Sequence, residues 1–488
     1  MQSDKSLMPD STRSYLKRVT VAWLFGSVWV SVAIQGVPLT LYAKTLGATE
    51  WHIGLLSSLP YLVLLLSIPA GIWIDATGDR KRIFMIGLLA QRLMWIPIIL
   101  VPTYLVWNSP DDNTRKMALW IFLAMMLVMH AGQAVGGPAW IHWMADLVPK
   151  RIRGRYFARR RQLGIIPALP ALILVGIAID YFSPHGASQH ATLITLGVIF
   201  GLAMVCGVAD ILMFANIPHE RPPKVRKRTS LVLLFEPLRD RTFMGFCLAV
   251  GVTVFTGVPL AQFLILYLTE HLNIHSGEAQ LMLLVLPLVL QMIFWPVWGQ
   301  MVDLMGMRPT LLIASLGQLP LIVGWIFVGH GPYWIGYFLA GGMMVLGAGV
   351  DAVNLQIVLR SSGKQADNRA GESTKRGSSQ FAAMNAMVLG FAGFFGGILG
   401  GWLMYALKDG PGANRPYFLS WASNYDVLFV VLAAVRLVVM LMLLRLMVEP
   451  AAKSVAHASR FLTLRMFSTL LHPLRLIRSR LEPRATEI

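Results

Sequence analysis

Long apolar stretches alternate with short polar segments along most of the chain. A helix needs about 20 apolar residues to cross the hydrocarbon core of a bilayer. Twelve stretches reach that length, and Gly and Pro inside several of them are tolerated because neighbouring membrane helices re-satisfy the backbone. The predicted spans are residues 19–43, 52–74, 83–106, 117–144, 156–180, 191–216, 243–269, 277–301, 309–329, 333–359, 379–407 and 424–448. The pattern predicts an all-α integral membrane protein.

The composition excludes an ordinary soluble protein. Hydrophobic residues make up 56% of the 488 residues and charged residues only 14%, which is too little charge to cover a soluble surface of this size. Cys206 and Cys247 fall in or beside apolar stretches, so we expect free thiols rather than a disulfide or a zinc site. Residues 1–18 are polar and basic, and the run 19–43 is too long for a signal peptide, so it is predicted to be the first span.

The basic residues are distributed unevenly between the two sides of the predicted membrane. The net charge is +18, and nearly all Lys and Arg outside the spans fall on the side that carries the termini. The opposite side holds Lys44, Arg115, Lys116, Lys408 and Arg415. This is the positive-inside pattern. It predicts a multi-pass protein of the cytoplasmic (inner) membrane with both termini in the cytoplasm, and it does not indicate nucleic-acid binding.

One long polar connector divides the predicted spans six and six. Residues 217–242 are basic and contain Pro, and we interpret them as a cytoplasmic linker between two bundles, 19–216 and 243–448. Residues 1–18 form a cytoplasmic N-terminal segment. The tail 449–488 is basic and partly amphipathic, which predicts a helix on anionic inner-leaflet lipids; a docking site for a protein partner is the alternative.

A ten-residue pattern, Gly-x-x-x-Asp-x-x-Gly-x-Arg, occurs twice. Its members are Gly71, Asp75, Gly78 and Arg80 between spans two and three, and Gly299, Asp303, Gly306 and Arg308 between spans eight and nine. All four positions repeat after 228 residues, which indicates internal duplication. Glycine at a helix end allows another helix to approach closely, a carboxylate can accept from a facing helix N-terminus, and Arg can hold a carboxylate.

This repeated pattern resembles the signature loop of the major facilitator superfamily, and the resemblance covers residues 19–448. Residues 145–149, followed by 153–157, are similar to the junction between the fourth and fifth helices of many bacterial members. The resemblance implies twelve transmembrane helices in two pseudo-symmetric six-helix bundles. It also implies that Gly71 and Asp75 pack against the start of span eleven and that Arg80 pairs with Asp146, together latching the cytoplasmic side in the outward-facing state.

The second copy of the pattern departs from the family in two places. Arg308 is followed by Pro309 rather than by a basic pair, and its local partner position, Arg360, is not acidic. We therefore expect a weaker latch in the second half.

The resemblance implies that spans one, four, seven and ten line a central cavity. The polar residues on these spans are Gln35, His130, Gln133, Gln262, Asp351 and Asn354. His130 and Gln133 are three residues apart, as are Asp351 and Asn354, so each pair shares a helix face. Arg92 on span three joins these candidates if its side chain reaches the cavity, where it would suit an anionic substrate; otherwise its role is structural, as we expect for Arg436 on span twelve.

Asp351 is the leading candidate for binding a proton or a cationic group of the substrate. It lies roughly 12 Å from the inner end of its span at about 1.5 Å per residue, where a carboxylate is costly unless it faces water or a partner. A structural hydrogen bond is the alternative. His130 titrates near physiological pH when unperturbed, although a lone histidine in a helix bundle is more often a hydrogen-bonded contact between helices. Asp210 lies near the inner end of span six and is expected to reach the interface.

These features predict a secondary active transporter that moves a small solute by alternating access. No ATP-binding, nucleophile-elbow or zinc-protease motif occurs, so we expect no enzyme activity, no cofactor and no metal. Proton coupling is favoured because carboxylate and histidine candidates are present, and we expect a monomer. The alternative is a related membrane protein that acts as an assembly factor or partner subunit of a membrane complex through its basic tail and its charged loop 360–378.

Overall fold

The computed structural model describes residues 10–34, 36–108, 111–149, 152–184, 186–218, 236–329, 331–364, 374–409 and 422–481. Within these ranges it contains twelve helices long and apolar enough to cross a bilayer, and no strand. These spans are Arg13–Thr45, Glu50–Ile74, Arg80–Asn108, Asp112–Ile141, Arg159–Phe182, Gln189–Leu212, Arg241–His271, Ser276–Met305, Met307–Val328, Ile335–Ile357, Phe381–Leu407 and Asn424–Leu443. The predicted all-α membrane fold with twelve spans is confirmed.

Consecutive spans cross in opposite directions, so span one begins on the same side on which span twelve ends. We call this the near side and the opposite one the far side. The loops that follow odd-numbered spans lie on the far side, and those that follow even-numbered spans lie on the near side.

Five spans are built from more than one helical segment. The segments are Asp10–Trp29, Val30–Ile34 (a π-helix) and Val37–Thr45 in span one; Glu50–Leu64 and Ser67–Thr77 in span two; Arg80–Leu93 and Trp95–Asn108 in span three; Arg241–Leu266 and the π-helix Tyr267–His271 in span seven; and Ser276–Gln280, the π-helix Leu281–Val285 and Leu286–Met305 in span eight. The remaining helices are Asp112–Leu147, Arg153–Phe182, Gln189–Leu212, Met307–Val328, Ile335–Lys364, Thr374–Asp409, Asn424–Leu443 and Val455–Leu481.

Proline explains most of these junctions. Pro38, Pro69, Pro97 and Pro287 each lie in the first turn of the segment that follows a junction. Proline lacks a backbone N–H and clashes with the preceding turn, so it begins a new helical segment more easily than it continues an old one. In span one Gly36 adopts φ +96° between the π-helix Val30–Ile34 and the segment Val37–Thr45, a conformation that only glycine adopts without strain.

Several helices begin at a side chain that caps the first turn. Asp79, Asp111 and Ser188 each accept from the backbone N–H three residues later, which satisfies one of the unpaired donors at the helix start. At the far side, the hydrogen bonds from Thr114 lower the pKa of the exposed Asp111 carboxyl.

Contacts divide the chain into two compact units. The first comprises Met1–Leu233, Val254–Val285 and Ala386–Leu428, and the second comprises Leu234–Thr253, Leu286–Asn385 and Phe429–Ile488. The first unit therefore joins spans one to six to the far-side parts of spans seven, eight, eleven and twelve. The predicted linker 217–242 lies largely outside the described residues, so the domain boundaries stay a prediction.

An apolar cluster holds the near-side ends of spans one, two, three, four and six together. Val19, Ile74, Phe84, Trp143 and Phe214 are all buried in it. The Phe84 ring packs 5.0 Å from that of Phe214 and 5.6 Å from that of Trp143, centroid to centroid. Aromatic contacts of this kind add to the dispersion energy of the buried area, so this end of the bundle is tightly packed.

The tail forms a helix, Val455–Leu481, that contacts spans eight and nine. Ala458 and Leu462 are buried, whereas Leu464 is 71% exposed. Phe461, Leu464, Phe467 and Leu471 recur at helical spacing in this tail; the side chains of the last two lie outside the described residues. Binding of this tail to anionic lipids stays a prediction.

Candidate functional site

Charged side chains meet at the far-side end of span one. The Lys44 Nζ lies 3.1 Å from a carboxylate oxygen of Glu270 in span seven and 3.5 Å from one of Glu50 in span two. Lys44 and Glu50 are largely buried, while Glu270 is partly exposed. One ammonium group thus bridges two carboxylates that belong to different predicted halves of the chain, all within the first compact unit.

Hydrogen bonds reinforce this far-side contact. Gln262 of span seven, a predicted cavity residue, donates from Nε2 to the Thr40 hydroxyl at 2.6 Å. The Gln280 Nε2 donates to the Leu172 carbonyl at 2.6 Å, and this bond is buried. The Asp180 carboxylate accepts from the Gly277 N–H at 3.0 Å. Spans one and five are therefore joined to spans seven and eight by polar contacts.

A cavity of about 470 Å³ opens beside these contacts. It is lined by charged residues of both signs, namely Lys44, Arg115, Asp180 and Glu270, together with neutral ones such as Gln189 and Thr269. Its volume falls within the range of small-molecule sites, about 300–1,000 Å³. All of its lining residues belong to the first compact unit.

Glycines allow spans two and eleven to touch on the same side. A Cβ at Gly54 would lie 2.5 Å from the Cα of Gly401, and a Cβ at Gly401 would lie 2.7 Å from the Cα of Gly54. Farther along the same pair, a Cβ at Gly393 would collide with the Tyr61 ring at 2.2 Å. Small residues at these positions permit backbone-to-backbone packing in a membrane protein.

The predicted site residues of span ten lie in the second compact unit. Asp351 is exposed, and Asn354 accepts a hydrogen bond from the Asn385 Nδ2 of span eleven at 2.9 Å. Asp351 is six residues from Ile357, the end of the span, which corresponds to about 9 Å along a helix. A carboxylate at this depth is tolerated where it faces water or a polar partner.

The two predicted residues of span four differ in environment. His130 is buried and Gln133 is exposed, although both lie on the continuous helix Asp112–Leu147. The His130 side chain is therefore enclosed by neighbouring residues, whereas that of Gln133 is not. Gln35 of span one lies outside the described residues.

Arg92 does not stand in an exposed site but forms an ion pair that the sequence did not reveal. Its Nη2 lies 3.6 Å from the Asp210 Oδ2 of span six, and the two side chains are almost completely buried. The guanidinium also lies 3.9 Å from the ring centroid of Trp29. The expectation that Asp210 reaches the membrane interface was wrong, because the arginine of span three stabilises this carboxylate inside the bundle.

The second half contains a related buried arginine. Arg436 of span twelve donates to the Gln318 Oε1 of span nine, and its Nη2 donates to the Thr253 carbonyl of span seven at 3.2 Å. Arg436 is 1% exposed. Its expected structural role fits these hydrogen bonds, which connect three spans of the second unit.

The first copy of the repeated pattern ends span two. Gly78 adopts φ +68° and donates its N–H to the Ile74 carbonyl, and the Lys81 Nζ donates to carbonyls at the end of span six at 2.6 and 2.7 Å. No described atom lies within 4 Å of a Cβ built at Gly71. The side chains of Asp75 and Asp146 lie outside the described residues, so the contact of Arg80 with Asp146 stays a prediction.

The second copy has partners that the sequence did not suggest. Asp303 accepts from the Gln356 Nε2 at 3.0 Å, and the Arg308 N–H donates to the Glu449 carboxylate at 2.9 Å. Gly306 adopts φ +102° where span nine begins, and no described atom lies within 4 Å of a Cβ at Gly299. Glu449 follows span twelve, so no local pattern around Arg308 could have identified it.

Comparison with known proteins identifies the architecture. The family model for the Major Facilitator Superfamily matches residues 21–372, whereas no curated protein sequence matches the chain. Among solved structures, a variant of the nucleoside transporter NupG is 14% identical, with a TM-score of 0.62 over 89% of this chain and 99% of that one.

Two further solved structures are similar over most of their length. A D-xylose-proton symporter is 14% identical, with a TM-score of 0.61 over 86% of this chain and 97% of that one. A bacterial homologue of the iron transporter ferroportin, in an inward-facing state, is 15% identical, with a TM-score of 0.62 over 89% and 99%. At these identities the likeness establishes the fold.

Proposed function

The chain belongs to the Major Facilitator Superfamily, and on this premise we propose that it is a proton-coupled secondary transporter that moves a small solute across the cytoplasmic membrane by alternating access. In this proposal the near side is the cytoplasm and the far side is the exterior. The family and the similar solved structures indicate a transporter rather than an enzyme.

The exposed carboxylate of Asp351 carries the proposal. It lies inside the length of span ten, and its side chain is exposed rather than buried among neighbouring helices. A carboxylate facing lipid inside a span is costly, with about 2.5–3.5 kcal/mol at the helix centre on insertion scales as the upper limit for this position. A water-filled pathway along span ten removes that cost. We therefore assign Asp351 to the solute pathway, where it contacts the solute or a proton.

The far-side contacts support alternating access. Lys44, Glu50 and Glu270, together with the Thr40–Gln262 hydrogen bond, join segments of both predicted halves. In alternating access the two halves rock around a central site, so contacts that close one side must separate when that side opens. We propose that these residues form the outer gate and that the Gly71–Arg80 loop belongs to the inner one.

The solute is proposed to be small and polar. Gln133 and Asp351 offer hydrogen-bonding and anionic groups, and the far-side cavity offers charges of both signs. The similar solved structures include a nucleoside transporter and a D-xylose-proton symporter. Fold alone does not select a substrate within this superfamily, so these compounds are starting points for a panel of nucleosides, sugars, amino acids and organic ions.

The test uses purified protein in liposomes that contain a pH-sensitive dye. Each compound of the panel is added outside, and solute-driven proton movement is recorded for the unmodified protein and for Asp351→Asn. Asp112→Asn is the matched control, because Asp112 is exposed at the far-side start of span four. We expect one compound class to drive proton movement through the unmodified protein and Asp112→Asn, and this movement to be lost in Asp351→Asn.

Other outcomes contradict parts of the proposal. Unchanged flux in Asp351→Asn would remove Asp351 from the solute pathway. If no compound moves protons, exchange of labelled for unlabelled solute decides between uncoupled transport and none. Absence of exchange across the panel would favour the assembly-factor alternative.

A further inference from the structure

A carboxylate that the solute pathway does not use is buried inside the first six spans. Asp210 of span six is 5% exposed and Arg92 of span three is 4% exposed, and their ion-pair distance is 3.6 Å. Arg92 also donates to the Gln91 side chain. Burying such a pair takes both charges out of water, a penalty that their attraction does not always offset. Stability alone is therefore a weak reason for this pair.

The surrounding helices are shaped to accommodate the pair. A Cβ at Gly26 of span one would lie 2.5 Å from the Asp210 Oδ2. A Cβ at Gly207 of span six would lie 2.5 Å from Trp29 and 2.8 Å from the Arg92 side chain. Because Gly26 and Gly207 have no side chains, the Asp210 carboxylate, the Arg92 guanidinium and the Trp29 indole fit between these helices.

The pair is incompletely hydrogen-bonded. The Asp210 Oδ1 and the Arg92 Nε have no hydrogen-bond partner among the described residues. Leaving a buried polar atom unsatisfied costs about 1–3 kcal/mol. Protonation makes the Asp210 carboxyl group itself far less expensive to bury than a carboxylate, while the Gln91 side chain and the Trp29 ring remain as partners of the Arg92 guanidinium. The second charged group that acts on Asp210 is Arg160 of span five, whose guanidinium lies against Trp23 and Trp140.

The second half shows that linking these spans does not require a carboxylate. Gln318 and Arg436 connect spans nine and twelve, the counterparts of spans three and six in the second half. There the arginine lies on the later span of the pair and a neutral amide on the earlier one. A Gln–Arg pair is therefore sufficient for the structural role, and the titratable Asp210 gives the first half a capability that the second half lacks.

We propose that Asp210 is the proton-binding group of the transport cycle, with Arg92 as its counter-ion in the deprotonated state. A proton from water adds to the Asp210 carboxylate and releases Arg92 from the ion pair; in the return step the proton leaves to water on the other side and the pair re-forms. This inference rests on the proposed transport function. It assigns different roles to two carboxylates: the exposed Asp351 contacts the solute, and the buried Asp210 binds the proton.

The experiment measures proton coupling and solute transport separately in the same liposomes. Solute-driven proton movement and solute counterflow, which requires no net proton transfer, are measured for the unmodified protein, for Asp210→Asn and for the control Asp112→Asn. We expect Asp210→Asn to lose proton movement to the level of empty liposomes while it retains counterflow, and that counterflow to become insensitive to pH. Asp112→Asn should retain both.

A second variant distinguishes loss of the proton-binding group from misfolding of the protein. Arg92→Gln combined with Asp210→Arg installs in spans three and six the pair that spans nine and twelve already use. We expect it to keep the thermal stability of the unmodified protein and counterflow, and to lose proton movement.

Proton movement in either folded variant would overturn the inference, and so would failure of both variants to fold, because the pair would then be structural. If the unmodified protein shows neither proton movement nor counterflow, the proposed function fails instead.

Discussion

At the scale of single residues, the buried arginines show how one long side chain connects several spans. Arg436 donates to Gln318 and to the Thr253 carbonyl, so one side chain of span twelve holds spans nine and seven. The Thr253 hydroxyl lies 2.9 Å from that of Ser315, which adds a second link between spans seven and nine. A buried guanidinium without such acceptors would be strongly destabilising.

This arrangement predicts a non-additive effect on stability. Arg436→Met leaves acceptors unsatisfied and should cost about 1–3 kcal/mol. Gln318→Met should cost more, because it removes an acceptor from a buried charge. The double variant should be more stable than Gln318→Met alone, since it removes the charge as well. Thermal unfolding in detergent micelles measures the three midpoints; a double variant less stable than either single variant would contradict the account.

The sequence identified these polar residues but not their partners. Arg92, Asp210, Arg436 and Asp351 stand out because charges are rare inside apolar spans. Which of them meet depends on how helices far apart in the chain pack, and a single sequence does not show this. Asp210 was therefore assigned to the interface on its distance from the helix end, although Arg92 holds it inside.

At the scale of helices, the apolar pattern was enough to predict all twelve spans, because each exceeds the length that a bilayer requires. The junctions inside spans one, two, three and eight were less predictable. Proline occurs both at such junctions, as Pro97 does, and inside continuous helices, as Pro138 does. Neighbouring helices decide which prolines interrupt the backbone.

The contact between spans two and eleven gives a prediction at this scale. Gly401→Ala places a methyl group 2.7 Å from the Gly54 backbone, so the helices must separate. Overpacking of this kind costs about 1–3 kcal/mol. Gly201→Ala is the matched control, because it lies in a helix with open space around it, and Ala is favoured over Gly there.

We expect a lower thermal unfolding midpoint for Gly401→Ala and an unchanged or higher one for Gly201→Ala. Equal midpoints would mean that the spans do not pack as closely as described.

At the scale of the whole molecule, the central claim is that far-side contacts between the two predicted halves close and open during transport. Thr40 and Gln262 make a hydrogen bond of 2.6 Å between spans one and seven. The repeated pattern predicted a gate on the near side, by resemblance. The far-side residues carry no such pattern, and only the structure brought them together.

The most direct measurement is reversible cross-linking of this contact during solute transport. Cys206 and Cys247 are free thiols and are first replaced by Ser. Thr40→Cys and Gln262→Cys are then joined in liposomes by a short methanethiosulfonate reagent, which a reductant removes. The control joins Thr253→Cys to Ser315→Cys, whose hydroxyls lie 2.9 Å apart on spans seven and nine, within one predicted half.

The account predicts that cross-linking of residues 40 and 262 stops transport of the solute found in the panel, that reduction restores it, and that the control pair transports equally well in both states. If the protein cross-linked between residues 40 and 262 transports the solute as fast as the same protein after reduction, this position is not an outer gate. That result would also contradict the alternating movement of the two halves.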